Sequence, residues 1–267
     1  MKRTTIVLVM ALLGIVMLQA QNYEEQFNQA IDADDFDKMR DVLVQWDAYA
    51  PCADVYSNWF TYYSLLADKN GANGQPDYSV QLPLADKLRT AVEMYPNRLD
   101  LRSNEMNVMI NLERYNLLPD AIRDLLQYDT KIAGEWLTYA NDPGTPERMG
   151  TAEEIAQEYF AAMYDYGQRD VVRQINEVCL AERPNSVVFR TDRAVLMLAD
   201  GDAEGSLAAL QAIDNDSPGD EVVMSNLAYL YEKKGDADNA RKYNQKLLGS
   251  DNETVRQQAQ AALDRLK

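Results

Sequence analysis

Asn226 to Asn252 reads NLAYLYEKKGDADNARKYNQKLLGSDN, and the order of residue types in this stretch decides the fold. Leu227, Ala228 and Tyr231 put apolar groups on one face of a first helix. Gly235-Asp236 stops it, because glycine adopts the left-handed conformation that ends helices. Ala240 then supplies a small side chain where a second helix crosses the first, so that the two backbones can approach closely. The pattern has a period. Gly167, Gly201 and Gly235 are 34 residues apart, as are Pro184, Pro218 and Asn252. A fixed spacing of this length marks a stack of helical hairpins, each burying its apolar face against the next.

The copy over Glu221–Asn252 resembles the tetratricopeptide repeat closely. Leu227-Ala228 stand where that family has its Leu-Gly pair, Tyr231 where it has its tyrosine, and Ala240 at its helix crossing. The preceding copy is in register through Arg193-Ala194, Asp200-Gly201-Asp202, Ser206 in place of the crossing alanine, and Pro218. Before it, Tyr159, Met163, Gly167, Cys179 and Pro184 hold equivalent places, with a bulky Phe160 where a small residue is expected. The resemblance implies an all-α fold, a right-handed α-solenoid of about six hairpins. A capping helix over Asp251–Lys267 would close it, with Val255, Ala259, Ala262 and Leu266 at near-helical spacing.

The N-terminal half carries degraded copies. Tyr23 to Ala53 reads as two helices joined by Asp34-Asp35-Phe36-Asp37 and closed by Pro51. Asp54 to Asp68 is a strongly aromatic first helix, and Pro83 to Tyr95 is its partner. Between them KNGANGQPDYSVQL reads as a loop, being rich in Gly, Asn and Pro. A third pair spans Leu99 to Tyr128 with a break near Asn116 to Pro119. Trp136 to Met149, containing NDPGTPE, reads as a second long connection, of a kind that is often functional. The organisation expected is a leader over 1–20, degenerate hairpins with inserted loops over 21–150, and regular repeats with a cap over 151–267.

The leader is read from Met1-Lys2-Arg3, an uncharged run from Ile6 to Leu18, and Leu18-Gln19-Ala20 with a small residue at the cut. This is a secretory signal pattern with cleavage expected after Ala20. The run is short for a membrane span, which needs about 20 apolar residues, so no membrane insertion is expected after cleavage. No cysteine follows it to take a lipid. Resemblance to bacterial exported repeat proteins implies the periplasm or cell envelope of a bacterium.

Composition narrows the chemistry. The chain has 43 Asp plus Glu, 26 Lys plus Arg and a formal net charge of −17, which opposes nucleic acid and anionic lipid. It has no histidine, which removes the commonest general base and the usual catalytic zinc sets. No glycine-rich phosphate loop is present, and DADDFDKMRDVL lacks the glycine and terminal glutamate of a calcium loop. No enzyme activity, cofactor or metal is therefore expected. Cys52 and Cys179 are too many repeats apart to pair, and Cys179 reads as a buried free thiol.

A protein or peptide partner is what the resemblance implies, because first helices of such repeats line a concave face. Carried over residue by residue, that geometry selects Asn58, Tyr62, Ser103, Asn107, Asn111, Gln157, Tyr164, Thr191, Ser225 and Tyr229. Amide and tyrosine side chains suit recognition of an extended backbone. Asn226 matches one place of the family's clamp for a C-terminal carboxylate, but Ser225 and Thr191 stand where it needs basic or amide residues. Two other readings stay open. A glycan-capturing helper would stack sugars on Trp59, Tyr62, Tyr63, Trp136 and Tyr139. An assembly factor for envelope proteins would be repeat-built in the same way.

Overall fold

The computed structural model describes residues 22–139 and 150–266. The leader over 1–20 and the NDPGTPE segment lie outside the described residues. Thirteen α-helices form six hairpins and a final single helix among the described residues. None is long and apolar enough to cross a membrane. Contacts divide the chain into residues 1–155 and 156–267.

The first unit holds α1 (22–32), α2 (Phe36–Tyr49), α3 (Ala53–Asn70), α4 (Leu82–Met94), α5 (Leu99–Asn111) and α6 (Leu118–Ile132). Pro83 and Pro119 open α4 and α6, where a missing amide hydrogen costs nothing. The core gathers Phe27, Met39, Leu43, Trp46, Tyr56, Trp59, Leu84 and Leu88. The inserted loop between α3 and α4 is an ordered turn. Asn73 and Gly74 both take positive φ, and Ala72 and Gln75 exchange two backbone hydrogen bonds of 3.0 Å across them. An Asn-Gly pair is the standard solution for such a tight turn. The turn closes back onto Gly71, where a Cβ would stand 2.3 Å from the Gln75 carbonyl oxygen.

A buried ionic knot ties the end of this unit to its middle. Arg98 is 1 % exposed. Its Nε and Nη2 each donate at 2.8 Å to the Asp100 carboxylate, and Nη1 is 2.7 Å from Asp54 Oδ1. Burial works against the guanidinium charge, but Asp100 and then Asp54 hold its pKa above the ordinary value. Ser57 Oγ donates to Asp100 as well. The backbone of Arg98 pairs in parallel with Leu137, so the chain leaving α6 is drawn back to the start of α5. There Trp136 and Tyr128 flank the Arg102 guanidinium, and Tyr139 bridges Asn58 and Glu24.

The second unit holds α7 (Ala152–Asp165, which crosses the boundary), α8 (Arg169–Glu182), α9 (Val187–Ala199), α10 (Ala203–Asp216), α11 (Glu221–Lys234), α12 (Ala237–Leu247) and α13 (Glu253–Arg265). Equivalent positions repeat their roles. Val172, Ser206 and Ala240 are buried at the helix crossings, and Phe160, Ala194 and Ala228 are buried opposite them. Tyr231 and Tyr243 stack with ring centroids 5.8 Å apart. Cys179 is buried and Cys52 is half-buried, and neither is in a disulfide among the described residues.

Five of the six hairpins share one tip. At Gly235 the amide bonds the carbonyl of Glu232, and the next amide, Asp236, bonds that of Tyr231. Gly167 and Gly201 repeat this pattern, and so do Asp34 and Glu113 in the first unit. All five residues have positive φ, from 53° at Asp34 and 56° at Glu113 to 91° at Gly201. The N-terminal hairpins thus keep the left-handed cap without the glycine that marks it. An L residue in that conformation costs about 1–2 kcal/mol, less for Asp. Nothing stands within 4 Å of a Cβ built on Gly235, so the backbone alone asks for glycine there. Glu113→Gly should therefore raise stability by about 1 kcal/mol, and Gly235→Ala should lower it by a similar amount. Urea unfolding of both variants checks the pair of opposite signs.

Candidate functional site

The last hairpin and the final helix enclose a groove within the second unit. Helices α11 and α13 supply its walls. Ser225, Tyr229 and Glu232 line it from α11, and Val255, Gln258 and Arg265 from α13, with Glu232 bonded to Arg265. The buried Ala228, Ala259 and Ala262 form its floor, and Leu247 and Asn244 of α12 complete the lining. Small side chains at three floor positions leave a cavity of about 210 Å³. The groove is open to solvent on one side and is lined by both polar and apolar side chains.

The polar groups around the groove have defined states. Arg265 and Glu232 form a two-pronged ion pair, at 3.2 and 3.3 Å, that closes one end. Arg265 is exposed and Glu232 half-buried, so solvent screens the pair and it contributes little to stability. Ser225 Oγ donates to the Glu221 carbonyl one turn back, and Asn244 Nδ2 donates to the Ala240 carbonyl. Tyr229 is 49 % exposed, with Lys233 Nζ 5.4 Å from its ring centroid. Val222, one turn before Ser225, is exposed too. Acidic side chains gather at the Ser225 end, where Asp220 and Glu221 begin α11 and Asp251 and Glu253 precede and begin α13.

The structure sorts the residues that sequence selects. Ser225 and Tyr229 share the groove. Ser103, Asn107, Asn111, Gln157 and Tyr164 are half-buried on their helices. Of these, Asn111 donates to Gln81 Oε1 at 3.0 Å and so anchors the end of the inserted turn, while Arg169 lies over the Tyr164 ring. Three of the selected residues are buried. Asn58 is buried because the chain after α6 returns over that face of α3, and its amide is taken up by Tyr139 Oη and the Asp54 carbonyl. Tyr62 is buried in edge-to-face contact with Trp59 and Tyr63. Thr191 is buried with its hydroxyl donated to the Val187 carbonyl. None of the three presents its side chain to a partner in this conformation.

The aromatic residues that suggest sugar stacking are also largely internal. Trp59 and Trp136 are each 5 % exposed, and Trp136 Nε1 donates to Asp129. Tyr63 and Tyr139 are half-buried, and burial, followed by the Glu24 hydrogen bond, raises the Tyr139 phenol pKa. Sequence reasoning missed the α13 wall of the groove, since that helix reads as a solvating end. The signal was present: its apolar stripe carries Ala259 and Ala262 where filling the space would need larger side chains.

The hairpins of the second unit resemble tetratricopeptide repeats in their 34-residue spacing and left-handed tips at Gly167, Gly201 and Gly235. Similar solved structures include a tetratricopeptide repeat protein from Parabacteroides merdae, 12% identical with a TM-score of 0.43, covering 92% of this chain and 88% of that one. A thermophilic tetratricopeptide protein of Thermus thermophilus is 14% identical with a TM-score of 0.31, over 91% of this chain and 98% of that one. Yeast Tom70 is 11% identical with a TM-score of 0.40, over 94% of this chain and 58% of that one. No family model matches the sequence. No curated protein matches it.

Core and groove tyrosines should separate by stability. Tyr62→Ala removes a buried ring and should cost about 3–5 kcal/mol. Tyr229→Ala changes an exposed ring and should shift stability by less than about 0.5 kcal/mol. Thermal or urea unfolding of the two variants makes the comparison.

Proposed function

We propose that this chain is an exported, non-catalytic scaffold that holds a protein or peptide partner in the groove between α11 and α13. The observation that carries the reading is the alanine-floored cavity with the exposed Tyr229 ring at its side. Such a site gives one apolar side chain of an extended segment a place to lose its water, and the ring adds contact area with a polar tip. The carboxylates at the Ser225 end favour a partner that is basic on that side. The absence of histidine supports a binding role over a catalytic one. Export, to the periplasm or cell envelope, rests on the leader pattern over 1–20. A sugar-stacking role has less support, because Trp59, Tyr62 and Trp136 are buried.

Affinity capture from an envelope extract, followed by titration of the captured protein, tests the reading. Tyr229→Ala should weaken binding about tenfold, the equivalent of roughly 1–2 kcal/mol. Ala259→Phe, which fills the cavity, should weaken it at least as much. Lys242→Ala, on the exposed side of α12, should leave it unchanged. Equal binding by all three variants would move the site elsewhere. N-terminal sequencing of the protein in its producing cell should begin at or near Gln21; an intact Met1 in the membrane fraction would replace export of a free chain by anchoring.

A further inference from the structure

The second unit holds a carboxyl group that the groove does not use. Asp192, on α9, is 8 % exposed, and its buried Oδ2 has no hydrogen-bond partner. The cations beside it in sequence are turned away: Arg190 Nη2 bonds Asp216 Oδ2 at 2.8 Å, and Arg193 is exposed. Helices α8 and α10 pack on α9. The charged residues of α8 are Arg169, Asp170, Arg173, Glu177 and Glu182, and those of α10 are Glu204, Asp214 and Asp216. Arg173 is bound to Asp170 and Asp200, Glu204 to Lys234, and Asp214 to Tyr243, while Arg169 lies over Tyr164. No cation of either helix compensates the buried carboxyl, and burial alone pushes its pKa up to about 7. A second unsatisfied group lies on α10, where the Ser206 hydroxyl is buried without a partner.

We propose that the α9–α10 hairpin is a proton-gated joint, docked tightly while the Asp192 carboxyl is neutral and loosened when that carboxyl ionises. A carboxylate with one oxygen buried and no donor to it is poorly hydrated once ionised, and local opening of its hairpin is the route that restores water to it. The direction follows from proton linkage. An unfolded chain releases this proton near about pH 3.9, whereas the folded form keeps it to about pH 7. Between those values the folded form binds more protons, so stability falls as pH rises and levels off above the folded pKa. The change is up to about tenfold in the folding equilibrium per pH unit. Because α10 also packs on α11, loosening would reach one wall of the groove.

Native-state hydrogen exchange on the full chain at pH 5.5 and 8.0, corrected for intrinsic rates, tests the joint. In the wild type, protection over 187–216 should drop at least about tenfold at the higher pH. In Asp192→Asn, which keeps the shape and removes the charge, that drop should vanish. Equal drops in both proteins would overturn the proposal. A carboxyl-carbon NMR titration of the wild type needs no variant: a midpoint near pH 7 is expected for Asp192, and a midpoint near about pH 4 would also overturn it.

Discussion

Each regular hairpin turns on one residue held at positive φ. That residue lets two backbone amides fold back onto the first helix, and it aims the chain so that the second helix begins at once. In three hairpins the next residue is an aspartate, Asp35, Asp202 or Asp236, whose side chain accepts from an amide of the new helix. Stop and start signals are thus adjacent, and the turn is too short to adopt another angle. The small or β-branched residue buried at the crossing then sets how closely the two helices pack. The geometry within each of these hairpins follows from these two local conditions.

The groove reflects the side chains that α13 turns inward. Its buried positions are Ala259 and Ala262, and both line the groove with Ala228 of α11. Gln257, Gln260 and Asp264 are exposed on the same helix. An amphipathic helix docks through its apolar stripe, and a stripe built of alanines brings little volume to the space between α11 and α13.

The C-terminal repeats were legible because glycine, proline and alanine stand at fixed intervals and each has a local physical meaning. The N-terminal hairpins were harder to read, since Asp34 and Glu113 do the work of glycine at a modest energetic cost that the surrounding contacts absorb. The helices themselves were still visible from Pro83, Pro119 and the aromatic run of α3. Which polar residues face a partner was far less legible. Asn58 looks like a recognition residue until the chain after α6 folds back onto it through the Arg98–Leu137 pairing, a contact between segments 39 residues apart. No helical period encodes such a contact. The same limit hid Asp192, whose burial depends on two neighbouring helices and not on its own.

The central claim is that a partner is held between α11 and α13, and hydrogen exchange of the full chain with and without its captured partner tests it most directly. Added protection should concentrate over 225–232 and 255–265, with little change in the turn over 69–82. Protection confined to that turn, or spread over the first unit with the last hairpin unaffected, would contradict the account.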